Sequence, residues 1–166
     1  MTVHPLPVDR PARVERMRLI RNRCAAGFAN FNDDISEAQQ ILWWQSNRAR
    51  LRAWLYLDGT SNVVGFGLLT THDDGTQWTT VGVDPTHEGH NYGKWITHHL
   101  INQAPGRVYG AARRDNPAAV RLHVEDDWIE CEGPDPRLVY FRTRKADRWP
   151  PEGATEQWAE VGWLPA

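Results

Sequence analysis

The stretch VDPTHEGHNYGKWI, residues 83–96, decides how the rest of the chain is interpreted. It begins as the end of an apolar strand, turns through Pro85 and Gly89, and continues as a helix from Tyr92. Its histidines and glycines admit three interpretations: a metal site, a cradle for a phosphate group, or a loop that only starts a helix.

The histidines of this stretch lack the spacing of a metal-binding helix. The zincin helix motif needs two histidines four residues apart on one helical face, whereas His87 and His90 are three apart with Gly89 between them. The adjacent residues His98 and His99 would point about 100° apart on a helix. The sequence therefore predicts no metal site.

The junction between the strand and the helix has the features of an anion site. A helix N-terminus carries unpaired N–H groups and the positive end of the helix dipole, and both attract phosphate. Gly89 allows a close approach of the backbone, and Asn91 is the non-glycine residue best suited to a positive φ. Lys94 adds a positive charge to the first turn, which a bound anion would make favourable. From these residues alone, the phosphate cradle and the plain loop remain equal alternatives.

The rest of the chain predicts a mixed fold. Asp9 is the expected N-cap of the first helix, Ser36 and Gln39 form a capping box for the second, and the turns after Asp58 and Asp74 join three strands into an antiparallel meander. The order β-α-α-β-β-β-α-β-α-β-β indicates an α+β domain around one sheet. Periodicity places strands at 2–7, 52–58, 63–71, 76–83 and 107–113, helices at 10–24, 36–50, 92–103 and from 116, and a final strand pair in DWIECE and RLVYFRT.

Composition limits the classes of function. A chain of 166 residues fits one domain, and its net charge of -2 gives no electrostatic case for nucleic acid or an anionic membrane. No apolar run approaches the roughly 20 residues that span a bilayer. Cys24 and Cys131 lie far apart without a disulfide or zinc pattern, and the N-terminus lacks the apolar core of a signal peptide. We therefore expect a cytoplasmic protein.

Three segments of the chain resemble the GNAT N-acetyltransferase family. Residues 83–93 resemble its acyl-CoA motif, V-x-P followed by Arg/Gln-x-x-Gly-x-Gly/Ala at the start of a helix. Residues 5–28 resemble the opening strand and helix, and 116–123 resemble the helix after the fifth strand, where the family often has Asn and then Leu-Tyr. The resemblance covers about residues 2–143, and it implies a GNAT fold: a mixed, mostly antiparallel sheet flanked by helices. The expected division is a GNAT-like domain over 1–144 and an irregular tail containing Trp and Pro over 145–166.

The resemblance also implies the substrates and the site. Acetyl-CoA would be the co-substrate, without a metal, and its acetyl group would pass to a primary amine by direct attack. A backbone N–H of the fourth strand would stabilise the oxyanion. His123 would be the general acid toward the leaving thiolate, and Asn22, Phe28 and Phe31 would line the acceptor pocket. The expected cofactor-binding residues are Val81, Val83, Glu88, Gly89, His90, Asn91, Tyr92, Gly93, Lys94 and Asn116.

Three of these residues depart from the family pattern. Glu88 replaces Arg or Gln, Asn91 replaces the middle glycine, and His123 stands where a tyrosine is frequent. Glu88 and the missing tyrosine favour an alternative function, a catalytically inactive GNAT-fold module that binds a ligand or a partner. A third hypothesis is an interaction protein whose tail tryptophans dock a partner. The acceptor class stays open among small amines, amino sugars, peptide N-termini, lysines and amines carried on nucleic acid, although the near-neutral charge argues mildly against nucleic acid. The resemblance implies a homodimer as one assembly.

Overall fold

The computed structural model describes residues 3–28 and 33–144 of the chain, and its elements follow the predicted order. A 3-10 turn over Ala25–Gly27 follows the first helix, and another over Pro85–His87 follows the fourth strand. The strands are β1 (His4–Pro7), β2 (Leu51–Leu57), β3 (Val63–Thr71), β4 (Gln77–Val83), β5 (Val108–Arg113), β6 (Ile129–Cys131) and β7 (Leu138–Arg142). The helices are α1 (Pro11–Arg23), α2 (Glu37–Asn47), α3 (Tyr92–Gln103) and α4 (Pro117–Glu125).

All the strands belong to one sheet, in the order β1-β2-β3-β4-β5-β7-β6. Every neighbouring pair is antiparallel except β4 and β5, which run parallel and are connected through α3. The predicted meander of β2, β3 and β4 and the predicted α+β class are both confirmed.

The helices cover opposite faces of this sheet. Gly67 of β3 lies under α3, because a Cβ atom there would come within 2.9 Å of Ile96 Cγ2. On the other face, a Cβ atom on Gly82 of β4 would lie 3.0 Å from the Sγ of Cys24, which follows α1. One buried cluster lies beneath α3 and α4 and another beneath α1 and α2, and a smaller third cluster is formed by Trp78, Tyr109, Leu138 and Tyr140. Small residues in the sheet thus set how closely the helices approach it, and hence where the ends of the helices lie.

The structure agrees with the predicted N-terminal cap of α2 but not with that of α1. The capping box of α2 is confirmed: Gln39 N–H donates to Ser36 Oγ at 3.2 Å, and Ser36 N–H donates to the Gln39 side chain at 2.7 Å. The prediction that Asp9 caps α1 is wrong. Arg10 holds the cap position, and no side chain accepts a hydrogen bond from the first N–H groups of α1 there. The Asp9 carboxylate instead accepts from the guanidinium groups of Arg10 and Arg13.

Within the residues that the structure describes, no helix has the length and apolar character needed to cross a membrane. The tail over 145–166, its tryptophans and the proposed boundary after residue 144 lie at or beyond the end of the described residues, and the tail stays a prediction.

Candidate active site

The two parallel strands at the centre of the sheet separate soon after they meet. Only Gln77↔Val108 and Trp78↔Tyr109 pair β4 with β5. Beyond these pairs β5 continues beside β7, and β4 continues beside β3. A gap therefore opens between the second half of β4 and the second half of β5.

The peptide groups of β4 alternate between the β3 ladder and this gap. His72 N–H donates to Thr76 O at 2.9 Å, and Asp84 N–H donates to Val64 O at 2.8 Å. The pairs of β3 and β4 residues that exchange backbone hydrogen bonds are therefore the pairs of even-numbered residues. The peptide groups of Thr80 and Gly82 accordingly bond to β3. Those of Val81 and Val83 face the gap, beyond the last ladder pair with β5.

The gap is the middle of a cleft with a volume of about 710 Å³ that opens on both faces of the sheet. Successive side chains of a strand point to opposite faces. The lining includes two successive residues of β4, Val81 and Gly82, and two of β5, Ala111 and Ala112. Each strand therefore contributes side chains from both faces of the sheet to the cleft. A molecule held by α3 and α4 on one face can therefore meet a molecule held near α1 on the other.

The loop from β4 into α3 begins at a fixed, buried carboxylate. Asp84 accepts hydrogen bonds from the N–H of Thr86 at 3.0 Å and from its hydroxyl at 2.8 Å, and it forms an ion pair with Arg23 of α1. Burial opposes the charged form of Asp84, but these hydrogen bonds outweigh it and hold the pKa of the carboxyl below its usual range. The loop thus starts from a rigid point.

The end of this loop has the predicted conformation of an anion cradle. Gly89 has φ 82° and Asn91 has φ 61°, so both take the left-handed conformation that was expected of them. The first hydrogen bond of the α3 ladder runs from Trp95 N–H to Asn91 O at 3.2 Å. The N–H groups of Tyr92, Gly93 and Lys94 precede that bond, and they are the groups that a helix offers to an anion.

Charged side chains of both signs surround this helix end. Lys94 is half exposed, with its Nζ 4.0 Å from Asp126 Oδ1, and Arg121 of α4 faces the same part of the cleft. Glu88 is exposed and also lines the cleft, so it opposes an anion there, as its sequence position suggested. The main-chain N–H groups and the dipole of α3 favour an anion at this helix end independently of these side chains.

The predicted cofactor-binding residues are brought together, with one exception. His90 does not line the cleft: its Nδ1 donates to the Glu88 carbonyl at 2.9 Å and its ring stacks on Tyr92, with ring centroids 5.7 Å apart. In the described part of the chain, no group of three or more residues that could hold a metal ion is present. The residues that do line the cleft are Val81, Val83, Glu88, Gly89, Asn91, Tyr92, Gly93, Lys94 and Asn116.

Asn116 lines the cleft, but both ends of its amide already have partners. Its Oδ1 caps α4 by accepting from Ala119 N–H at 3.2 Å, and its Nδ2 donates to Gly27 O at 3.3 Å. Arg113 donates to the neighbouring carbonyl of Ala26 at 3.0 Å. These bonds fasten the turn that follows α1 to the start of α4, and so bridge the cleft beside the gap.

His123 lines the cleft as a nearly buried ring. It stacks on Phe141 with centroids 4.6 Å apart, meets Trp128 edge-on at 4.8 Å, and places Nδ1 2.8 Å from Ala119 O. A carbonyl oxygen only accepts, so Nδ1 carries the proton, and Nε2 of the neutral ring has none to donate. Burial lowers the pKa of His123, which disfavours the imidazolium form. The geometry therefore argues against the predicted role of general acid.

The three predicted acceptor residues are placed differently. Phe28 is buried, packs against Phe66 with centroids 6.0 Å apart, and lines the cleft. Asn22 lies outside the lining, because its side chain donates to Ile35 O at 2.9 Å and accepts from Ile35 N–H at 3.0 Å, holding the chain before α2. We do not retain Asn22 as an acceptor residue. Phe31 lies outside the described residues.

Arg23 and Arg121 line the cleft and were missed by sequence reasoning. The sequence contained a signal for Arg121, because its spacing from Ala118, Leu122 and Glu125 places all of them on one face of α4. The structure shows that this face lines the cleft. Arg23 had none, since its partner Asp84 lies 61 positions away in the sequence.

The cleft thus joins a separating pair of parallel strands to a helix N-terminus, at the segment that resembles the acyl-CoA motif. Residues 15–125 match the model of the acetyltransferase (GNAT) family, and the chain belongs to that family. No curated protein sequence matches the chain significantly.

Similar solved structures carry the same fold. A phosphinothricin acetyltransferase from Sinorhizobium meliloti in complex with acetyl-CoA is 15% identical with a TM-score of 0.74, over 94% of this chain and 97% of the other. A spermidine N-acetyltransferase from Vibrio cholerae with CoA and spermine is 14% identical with a TM-score of 0.69, over 84% and 92%. A ribosomal-protein-alanine N-acetyltransferase from Brucella melitensis is 15% identical with a TM-score of 0.68, over 86% and 99%.

Proposed function

We propose that the protein transfers the acetyl group of acetyl-CoA to a primary amine while both substrates occupy the cleft between β4 and β5. The observation that carries this proposal is the cleft itself, which passes through the sheet and has the N-terminus of α3, without a side-chain cap, on one side. The similar structures bear names with a small polyamine and a protein as acceptors, which supports an amine as the shared chemistry. The cytoplasmic location and the homodimer that the family implies belong to the same proposal.

The residues present fit acetyl-CoA. The N–H groups of Tyr92, Gly93 and Lys94 would hold its pyrophosphate, and the left-handed Gly89 and Asn91 open the loop toward it. The peptide groups of Val81 and Val83 would hold the pantetheine arm, because their edge of β4 has no ladder partner beyond Trp78. Lys94 and Arg121 supply positive charge around the phosphates.

The lining favours direct attack by the amine. Cys24 is the one thiol among the described residues of the cleft, and it donates to Ile20 O at 2.9 Å. Burial raises the pKa of the Cys24 thiol to about 12, so the group is neutral and a poor nucleophile. An amine that enters from the α1 side reaches the gap without a covalent intermediate on the protein.

Acetyl-CoA supplies the activated acyl group, and the protein supplies position and electrostatics. The Val81 N–H points into the gap and would donate to the oxyanion that develops there, an effect worth about a hundred- to a thousandfold in rate for a single donor. The new C–N bond forms as the C–S bond breaks, the amine loses a proton to water, and the thiolate gains one. His123 is not needed for this last step, because water reaches the open ends of the cleft.

The test combines binding and turnover. Acetyl-CoA at 100 times its Kd should stabilise the protein by about 2.7 kcal/mol, a rise in Tm of roughly 5–10 °C. Release of the CoA thiol should then depend on an added amine. No rise in Tm at millimolar acetyl-CoA would refute the cradle and the function together.

An inactive module that only binds CoA is the second candidate. The observation that favours it is His123, whose buried, Nδ1-protonated ring replaces the tyrosine that is frequent in the family. Under this alternative acetyl-CoA raises the Tm, but no amine accelerates release of the thiol.

A further inference from the structure

The imidazole of His87 lies beside the first residue of α3. His87 ends the 3-10 turn that follows β4, it is half-buried, and it lines the cleft. Its ring meets the ring of Tyr92, with the ring centroids 6.3 Å apart. An anion held by the N–H groups of Tyr92, Gly93 and Lys94 would therefore lie next to this imidazole.

A chain of hydrogen bonds fixes which nitrogen of His87 carries a proton. Although burial opposes the charge of Asp84, its hydrogen bonds from Thr86 and Arg23 hold the pKa of the carboxyl below its usual range, so the group is ionised and only accepts. The Thr86 hydroxyl therefore gives its one proton to Asp84, at 2.8 Å. The same oxygen lies 3.0 Å from His87 Nδ1. It has to accept there, and Nδ1 carries the proton.

The other ring nitrogen of His87, Nε2, makes no hydrogen bond within the described part of the chain. Because Nδ1 is bonded to the loop, the Nε2 edge is the one that can reach a ligand in the cleft. In the neutral ring Nε2 holds a lone pair, which repels a phosphate oxygen. A proton added at Nε2 leaves the bond to Thr86 in place and makes Nε2 a charged donor. Histidine is the side chain that changes charge in this way between about pH 5 and 8.

Charged groups of both signs surround this ring. Arg23, at the end of α1, is paired with Asp84. Glu88 follows His87 directly, is exposed and lines the cleft, where its charge opposes an anion. Lys94 of α3 lies across the helix end, with its Nζ 4.0 Å from Asp126 Oδ1. A charged His87 would thus add a positive group on the side of the loop where Glu88 carries a negative one.

Two other titratable groups near this loop do not take the same part. His90 stacks on Tyr92 and donates its Nδ1 proton to the Glu88 carbonyl at 2.9 Å, and it does not line the cleft. Cys24, on the α1 side of the loop, is a neutral thiol, because burial raises its pKa to about 12. Of these three groups, His87 is the one that both lines the cleft and can gain a positive charge.

We propose that His87 binds the pyrophosphate of acetyl-CoA through Nε2 in its imidazolium form, so that the protein binds acetyl-CoA more tightly as the pH falls. This inference rests on the proposed function, because it names a pH-dependent binding residue of the same site. The main-chain N–H groups of α3 hold the anion at every pH, and His87 adds a charge-assisted hydrogen bond when it is protonated.

Dephospho-CoA is the probe that tests the inference with the full chain. It keeps the pyrophosphate but lacks the 3′-phosphate, a monoester that itself titrates near pH 6. Calorimetric Kd values are measured between pH 5.5 and pH 8, with circular dichroism at each pH to show that the protein stays folded. We expect the Kd to be about fivefold or more lower at pH 5.5 than at pH 8. His87→Gln cannot gain a proton, so its Kd should change by less than about twofold.

A neighbouring histidine supplies the matched control. His90→Gln removes a titratable ring from the same loop, and it should keep the pH dependence of the unaltered protein whatever its Kd at pH 8. Nitrogen-15 NMR of the free protein tests the ring without a ligand. When neutral, His87 should carry its proton on Nδ1, and Thr86→Val, which removes the accepting oxygen, should shift the proton toward Nε2.

The outcomes separate the inference from the proposed function. An equal pH dependence in the unaltered protein and in His87→Gln overturns the inference while binding of acetyl-CoA stands. A dependence on His87 that appears with CoA but not with dephospho-CoA overturns the assignment to the pyrophosphate, as it places the contact at the 3′-phosphate. A neutral ring protonated on Nε2 overturns it as well. A protein that binds neither compound at any pH refutes the proposed function first, and the inference fails with it.

Discussion

Replacing His123 with phenylalanine separates ring packing from proton transfer. Phenylalanine keeps a flat ring against Phe141, where the centroids are 4.6 Å apart, and against Trp128, where they are 4.8 Å apart. It removes both ring nitrogens. If His123 serves only to pack the core beside the cleft, the variant should remain an active enzyme.

The structure sets the size of the expected loss in stability. The substitution removes one hydrogen bond, from Nδ1 to Ala119 O at 2.8 Å, which is worth about 0.5–1.5 kcal/mol. The larger ring also approaches Gly110, and overpacking of this kind costs about 1–3 kcal/mol. We therefore expect the free energy of unfolding to fall by about 2 kcal/mol, or the Tm by roughly 4–8 °C. His123→Ala, which also loses the ring contacts, should cost about 3–5 kcal/mol.

The decisive assay is kcat at saturating acetyl-CoA and amine. A general acid contributes about a hundred- to ten-thousandfold, so we expect His123→Phe to stay within about threefold of the unaltered protein. A drop of a hundredfold, with the circular dichroism spectrum and the affinity for acetyl-CoA unchanged, would refute our reasoning about the buried Nδ1–H ring.

The same variant should also change how stability depends on pH. Burial lowers the pKa of His123 below its usual value of 6.5, so below that pH the unfolded chain binds more protons than the folded protein. Stability therefore falls as the pH drops through that value, until the lower pKa of the folded state is reached. His123→Phe lacks this contribution, so its slope should be smaller by at most about 1.4 kcal/mol per pH unit. His72 and His99, whose pKa values burial also lowers, contribute to both proteins alike.

Three further substitutions test the anion cradle. Gly93→Leu should abolish the rise in Tm with acetyl-CoA. A Cβ atom at Gly93 would lie 3.7 Å from Val83 and 3.9 Å from Leu122, so a leucine side chain would fill the cleft at the helix N-terminus. Gly93→Ala is the control, because a single methyl group fits at these distances. Asn91→Val should lower the free energy of unfolding by about 1–2 kcal/mol in urea denaturation, since a β-branched residue is strained at φ 61°, whereas Asn91→Gly should not. Glu88→Gln should lower the calorimetric Kd for acetyl-CoA by about two- to fivefold at low salt, because it removes a negative charge beside the cradle. If both proteins bind acetyl-CoA equally well at low and at high salt, the charge of Glu88 does not oppose binding.

The sequence predicted those parts of the fold that depend on neighbouring residues. The capping box at Ser36, the meander, and the positive φ of Gly89 and Asn91 each follow from a pattern of a few adjacent positions. Asp9 shows the limit even at short range, because two arginines within four positions compete for its carboxylate.

Contacts between distant segments could not be predicted in this way. The bond from Asn116 to Gly27 joins residues 89 positions apart, and the ion pair of Arg23 with Asp84 joins residues 61 positions apart. These contacts arise only once the sheet brings α1 beside β4 and α4. The state of His123 likewise depends on Phe141 and Trp128, which come from other elements. The junction of strand, loop and helix could therefore be located from the sequence, whereas the contacts of the cleft side chains required the fold.

The separation of β4 from β5 has a consequence for hydrogen exchange along a single strand. The N–H groups of Thr80 and Gly82 are held by β3 and should exchange slowly, whereas those of Val81 and Val83 face the gap and should exchange fast. A strand at the centre of a sheet thus behaves as an interior strand at every second residue and as an edge strand at the others. Edge strands invite pairing with another extended chain, and under the proposed function the linear arm of acetyl-CoA would take that place.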